Sequence, residues 1–135
     1  MNKYLQAQSI KRGYLTRNII TNGDFSNGAT GWNPILACNI SGGTCNFTGD
    51  GYLNKIFTGL PNGVQIDVSF DVIGTGSIAF NGGIADFTQT TSFPVTTGRY
   101  SKRLFSITVN ANKNLYFHRT SGIFSIDNIV IRRVI

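Results

Sequence analysis

Asn18-Ile19-Ile20-Thr21-Asn22-Gly23-Asp24-Phe25-Ser26-Asn27-Gly28-Ala29-Thr30-Gly31-Trp32 divides the chain into two unlike parts. Ile19 and Ile20 read as a short apolar strand, and Asn22-Gly23 as a turn dipeptide. Asn27-Gly28 and Gly31 bracket a second turn, which delivers the only tryptophan of the chain toward a core. Before this stretch the sequence is basic and weakly patterned. After it, short apolar runs alternate with Gly, Asn and Thr turns.

The downstream pattern is that of antiparallel strands. From Val64 to Val72, valine, isoleucine and phenylalanine alternate with Gln65, Asp67, Ser69 and Asp71, which buries one face and wets the other. Further strands are expected at Ile35 to Ile40, Thr44 to Thr48, Tyr52 to Phe57, Ser77 to Phe80, Ile84 to Thr88, Arg99 to Val109, Asn114 to Arg119 and Ile123 to Val134. Turn signals at Gly42-Gly43, Asp50-Gly51, Pro61-Asn62-Gly63, Gly74-Thr75-Gly76, Asn81-Gly82-Gly83 and Asn110-Ala111-Asn112 punctuate them. In the last strand, Phe124 and Ile126 share a face with Ile129 and Ile131 only if Asp127-Asn128 forms a bulge. No stretch carries a useful helical period. At 135 residues the chain is long enough for one domain with its own core.

Two motifs carry a resemblance. Asn22-Gly23-Asp24-Phe25 followed by Gly31-Trp32, and the closing Phe124-Ser125-Ile126-Asp127-Asn128-Ile129-Val130-Ile131, resemble the first and last strands of the carbohydrate-binding-module jelly rolls, the galactose-binding-domain-like β-sandwiches. The resemblance frames residues 18–135. It implies an all-β, antiparallel jelly-roll β-sandwich (18–135) preceded by an extended basic arm (1–17). Similar modules also occur in bacteriophage virion proteins. The resemblance further implies a structural calcium held by Asp24, nearby backbone carbonyls and Asp127, although Ser26 stands where those modules often have an acid; the alternative is that Asp127 caps a turn.

Charge is distributed unevenly. Twelve Lys and Arg face six Asp and no Glu, a formal net charge of +6. Lys3, Lys11, Arg12 and Arg17 fall in the first eighteen residues without a single acid, leaving a nearly balanced body. Lys11, Arg12 and Arg17 could neutralise phosphates whatever the base sequence, but four charges on a tail are a thin signal, and a balanced body argues against a nucleic-acid groove. With Tyr4, Leu5, Tyr14 and Leu15 as apolar anchors, the arm suits docking on a neighbouring subunit.

An acid–base hydrolase needs two convergent carboxyl groups. Asp67 and Asp71 share a strand face about 13 Å apart, too far for that role. His118, the one histidine, lacks a nucleophile motif and reads as a surface or half-buried structural residue. No phosphate loop, zinc spacing, signal peptide or membrane span is readable. Cys38 and Cys45 face each other across a hairpin if Ser41-Gly42 is the turn, which leaves a bridge and two reduced thiols both open.

These features lead to a non-enzymatic structural protein of a virion, made in a host cytoplasm. It would dock on other virion subunits, such as a major capsid or tail protein, through its arm, as a capsid decoration or tail component and with homo-oligomerisation as a further option. The alternative is a carbohydrate-binding module for a host or cell-surface glycan, with Tyr52, Phe93, Tyr100 and Tyr116 as contact residues.

Overall fold

The computed structural model of the chain describes residues 15–82 and 85–135. Six antiparallel strands form the body: β1 Leu15–Asn18, β2 Asn33–Ser41, β3 Thr44–Thr58, β4 Gln65–Ala79, β5 Phe93–Phe105 and β6 Asn112–Val134. They hydrogen-bond in the order β2-β3-β6-β4-β5, with β1 alongside β6. The long strands bend at bulges, so the two ends of this sheet lie over one another as the layers of a jelly-roll sandwich. Phe70 of β4 and Phe117 of β6 meet in the interior, with ring centroids 5.9 Å apart. Among the described residues no helix is long and apolar enough to cross a membrane.

Several expected boundaries move, each for a physical reason. Gly74-Thr75-Gly76 does not separate two strands. It lies within β4, where a Cβ on Gly76 would sit 2.3 Å from the Ser121 carbonyl oxygen, so the glycines serve close approach to β6, while the register shift between Val72 and Thr75 falls in the pairing with β5. Likewise Asn114–Arg119 and Ile123–Val134 are one strand, β6, kinked at irregularities in its pairing with β4. β5 begins at Phe93 and ends at Phe105, earlier than Arg99 to Val109 at both ends. The segment around Phe87 makes only an isolated bridge to Ser106, and Ile84 lies outside the described residues.

The bulge expected at Asp127-Asn128 is present. Asn128 adopts a left-handed φ of 48°, and Phe124, Ile126, Ile129 and Ile131 are all buried. Trp32 is a core residue, packed against Phe25 and Phe117, and its indole N–H donates to the Asn22 carbonyl at 2.9 Å.

The arm meets the sandwich earlier than residue 18. Leu15, Thr16 and Arg17 belong to β1; Leu15 pairs with Val134 and Asn18 with Arg132. The strand expected at Ile19-Ile20 therefore lies just before them, while Ile19 N–H still donates to Ile131 at 2.7 Å. Lys3, Tyr4, Leu5, Lys11, Arg12 and Tyr14 lie outside the described residues.

The cysteine hairpin is corrected by one residue. Gly42 and Gly43, both at positive φ, form the two-residue turn between Ser41 and Thr44. Cys45 consequently pairs with Ile40 and Cys38 with Phe47, so the two cysteines are diagonal neighbours rather than directly opposed.

Candidate functional site

Register decides which side chains gather on the outer face of β2, β3 and β6. Leu53 and Phe117, which pair with each other, are fully buried, so the alternate residues project from the opposite surface. One cross-strand row on that side runs Ile35, Tyr52, His118 and Ala79, and the next Asn33, Asn54 and Tyr116; Ala79 and Asn54 are buried in these rows, while Tyr52, His118 and Tyr116 are half-buried.

The side chains interlock. Tyr52 and His118 stack with centroids 4.3 Å apart and planes within 14°, and Tyr116 meets Tyr52 edge to face at 6.0 Å. Tyr116 in turn lies over Gly82, where a Cβ would come within 2.3 Å of its ring. His118 Nδ1 is 2.6 Å from Asn81 Oδ1. An amide oxygen only accepts, so Nδ1 carries the proton and Nε2 remains an acceptor. Burial holds His118 below its ordinary pKa; Asp50 opposes that shift and Arg119 adds to it. Asp50 and Arg119 also pair with each other at 2.9 Å.

Beneath this cluster a buried carboxylate orders the amides. Asp86 is fully buried and accepts from Thr108, Asn110, the Asn114 backbone and the Asn114 side chain. Burial raises its carboxyl, but the hydrogen bonds from Asn114, Asn110 and Thr108 outweigh that and leave it below the usual carboxylate range. A carboxylate cannot donate, so the Asn114 amide must turn its nitrogen toward Asp86 and its oxygen away. That oxygen accepts from Asn54 Nδ2 at 3.1 Å. The Asn54 oxygen, last in the chain, has no partner among the described residues.

Of the four aromatic residues expected at a ligand surface, Tyr52 and Tyr116 come together. Phe93 and Tyr100 sit elsewhere, on β5: Phe93 packs on Phe80 beneath Lys102, and Tyr100 stacks on Phe70 with its hydroxyl bound to the Thr96 backbone. Asn54, Asn81 and Asn114 join the cluster without having been singled out, and His118, read from the sequence as a surface or half-buried structural residue, stacks at its centre. Strand alternation placed His118 on the face of Tyr116, but the partner strand that brings Tyr52 was hidden.

Asp24 and Asp127 spend carboxylate oxygens locally, on the Ser26 and Asn128 backbone N–H groups. Burial raises the Asp127 carboxyl, partly offset by the Asn128 N–H, while the charges of Asp24 and Asp71 raise it further. Two carboxylates close enough to repel fit a cation, yet among the described residues no group of three or more His, Cys, Asp or Glu side chains is placed to hold a metal ion. Asp67 and Asp71 lie opposite arginines, with ion pairs Asp71–Arg99 at 2.8 Å and Asp67–Arg103 at 3.5 Å. A separate surface concavity of about 430 Å³, bordered by Leu15, Arg99 and Arg132, opens beside these charges.

An array of stacked aromatic rings beside amide donors and acceptors is suited to a neutral, polyhydroxylated ligand. Rings take apolar C–H surface and amides take hydroxyls.

No family model matches the sequence. A search of curated proteins finds no match either. Solved structures do resemble it. A carbohydrate-binding module of family 4 superposes with TM-score 0.57 at 14% identity, over 84% of this chain and 99% of that one. The enzymatically active domain of tailspike protein 4 of bacteriophage CBA120 gives 0.56 at 10% identity, over 87% of this chain and 21% of that one. The K3 adhesin domain of Lys-gingipain from Porphyromonas gingivalis gives 0.52 at 14% identity, over 85% and 99%. At these identities the likeness is one of fold.

Proposed function

We propose that this chain is a non-catalytic glycan-binding module whose contact face is built from Tyr52, Tyr116 and His118 with Asn81 and Asn114, braced from beneath by the buried Asn54. The observation that carries this reading is the convergence of three rings and the Asn81 and Asn114 amides on one outer face of a sandwich, with Tyr52 and His118 stacked at 4.3 Å. The carboxylates support a non-catalytic role: Asp67 and Asp71 pair with arginines, and Asp86 is buried beneath its own donors. The likeness to a carbohydrate-binding module is in keeping with it. Docking on virion subunits through residues 1–17, the other reading of the sequence, rests mostly on residues outside the described ones, and among the described residues no observation favours it over glycan binding.

The test is calorimetric titration against a panel of neutral polysaccharides and their oligosaccharides. Tyr52→Ala and Tyr116→Ala are each expected to weaken binding about tenfold, ~1.4 kcal/mol, with little change in melting temperature. Tyr100→Phe, away from the face, should bind as the unaltered chain does. Failure to retain any glycan, or equal binding by Tyr52→Ala and the unaltered chain, overturns the proposal.

A further inference from the structure

The β2–β3 hairpin holds a feature that glycan recognition does not use. Cys38 and Cys45 are both buried, and their sulfurs are in contact at 3.1 Å. They occupy diagonal positions on the core side of the hairpin, set by the Ile40–Cys45 and Cys38–Phe47 pairs on either side. β2 is an edge strand, so Cys38 lies one local opening away from solvent. We propose that Cys38 and Cys45 are a dithiol site that closes to an intramolecular disulfide on exchange with a low-molecular-weight disulfide.

The steps balance. The Cys38 thiolate attacks one sulfur of the small disulfide, forming a mixed disulfide and releasing one small thiol, which takes up the proton that Cys38 lost. Cys45 then loses its proton and attacks the Cys38 sulfur, releasing the second small thiol. Two protein thiols are oxidised and one small disulfide is reduced to two thiols. The order of attack follows from position: Cys38 lies on the edge strand β2, whereas Cys45 lies on the interior strand β3 and is fully buried, so an opening of β2 exposes Cys38 first. A shared S–H contact, with either sulfur able to donate, is in keeping with a lowered Cys38 pKa. Cys45 is held above its ordinary pKa by that same bond, by burial and by the Cys38 charge. The ring closed across the hairpin is short, so stabilisation is modest, a melting-temperature rise on the order of 5 °C.

The experiment equilibrates the full, reduced chain in buffers of stepped oxidised-to-reduced glutathione ratio. Acid quenching and alkylation in denaturant follow, with intact mass and non-reducing electrophoresis as readouts. The expected result is a monomer with no alkylatable thiol and a mass lower by two hydrogens, increasing with the ratio and fully reversed by reductant. Two alkylatable thiols at every ratio, a stable glutathione adduct, or a disulfide-linked dimer would each overturn the proposal. The Cys45→Ser chain supplies a second measurement: it should stop at the glutathione adduct, and an unmodified Cys38 there rules out Cys38 as the attacking thiol.

Discussion

At the scale of single residues, the contact face depends on a histidine kept neutral and on amides kept oriented. His118 gives its Nδ1 proton to Asn81 and lies flat on Tyr52, and burial lowers its pKa from the ordinary 6.5. Between the folded value and 6.5 the unfolded chain therefore binds more protons than the folded one. The stability contributed by neutral His118 is present above 6.5 and is lost as pH falls from there through the folded value. Relative to His118→Gln, the unaltered chain should lose melting temperature between about pH 7 and about pH 5. A constant difference across that range would show that the ring does not titrate with unfolding. Asp86 governs the amides. Asp86→Ala strands donors of Thr108, Asn110 and Asn114 in the interior, and its expected cost in urea unfolding is on the order of 3 kcal/mol. Glycan affinity should fall as well, because nothing then fixes the Asn114 and Asn54 amides; unchanged stability would refute the relay.

Among the elements, the Asn22-Gly23 turn is the hinge between β1 and the body. Gly23 accepts from Ile129 N–H at 2.9 Å, and a Cβ on Gly23 would stand 2.0 Å from the Ile129 carbonyl oxygen. The contact is backbone on backbone and cannot be relieved by rotating a side chain. Gly23→Ala should cost about 1–3 kcal/mol or more, read as a shift in urea midpoint. Ala at Gly28 meets open space and pays only for its left-handed φ of 58°, about 1 kcal/mol. Equal effects at the two positions would mean that close approach is not what selects glycine at 23. β1 is short but firmly held: Thr16 accepts from Arg133 N–H and Asn18 from Ile131 N–H.

For the molecule as a whole, charge offers a test that no single substitution does. The net charge of +6 is concentrated toward the N-terminus, while the contact face is made of rings and amides. Binding of a neutral glycan there should change by less than about twofold between roughly 50 and 300 mM salt, since no counterion is released. A steep fall with salt would assign the ligand to the basic residues instead.

What the sequence by itself determined is whatever local chemistry dictates. The alternation from Val64 to Val72, the bulge that keeps Phe124 and Ile126 in phase with Ile129 and Ile131, and the burial of Trp32 beside its Gly31 turn all follow from period, turn residues and apolarity. Pairings that join distant segments were beyond its reach. The Tyr52–His118 stack is set by the β3–β6 register, the Asp86 relay by two loops and two strands, and the one-residue shift of the cysteines by Gly42-Gly43 rather than Ser41-Gly42 taking the turn. Only the tertiary structure decided these, because a strand's sequence specifies which of its faces is apolar but not which neighbour, or which register, will lie beside it.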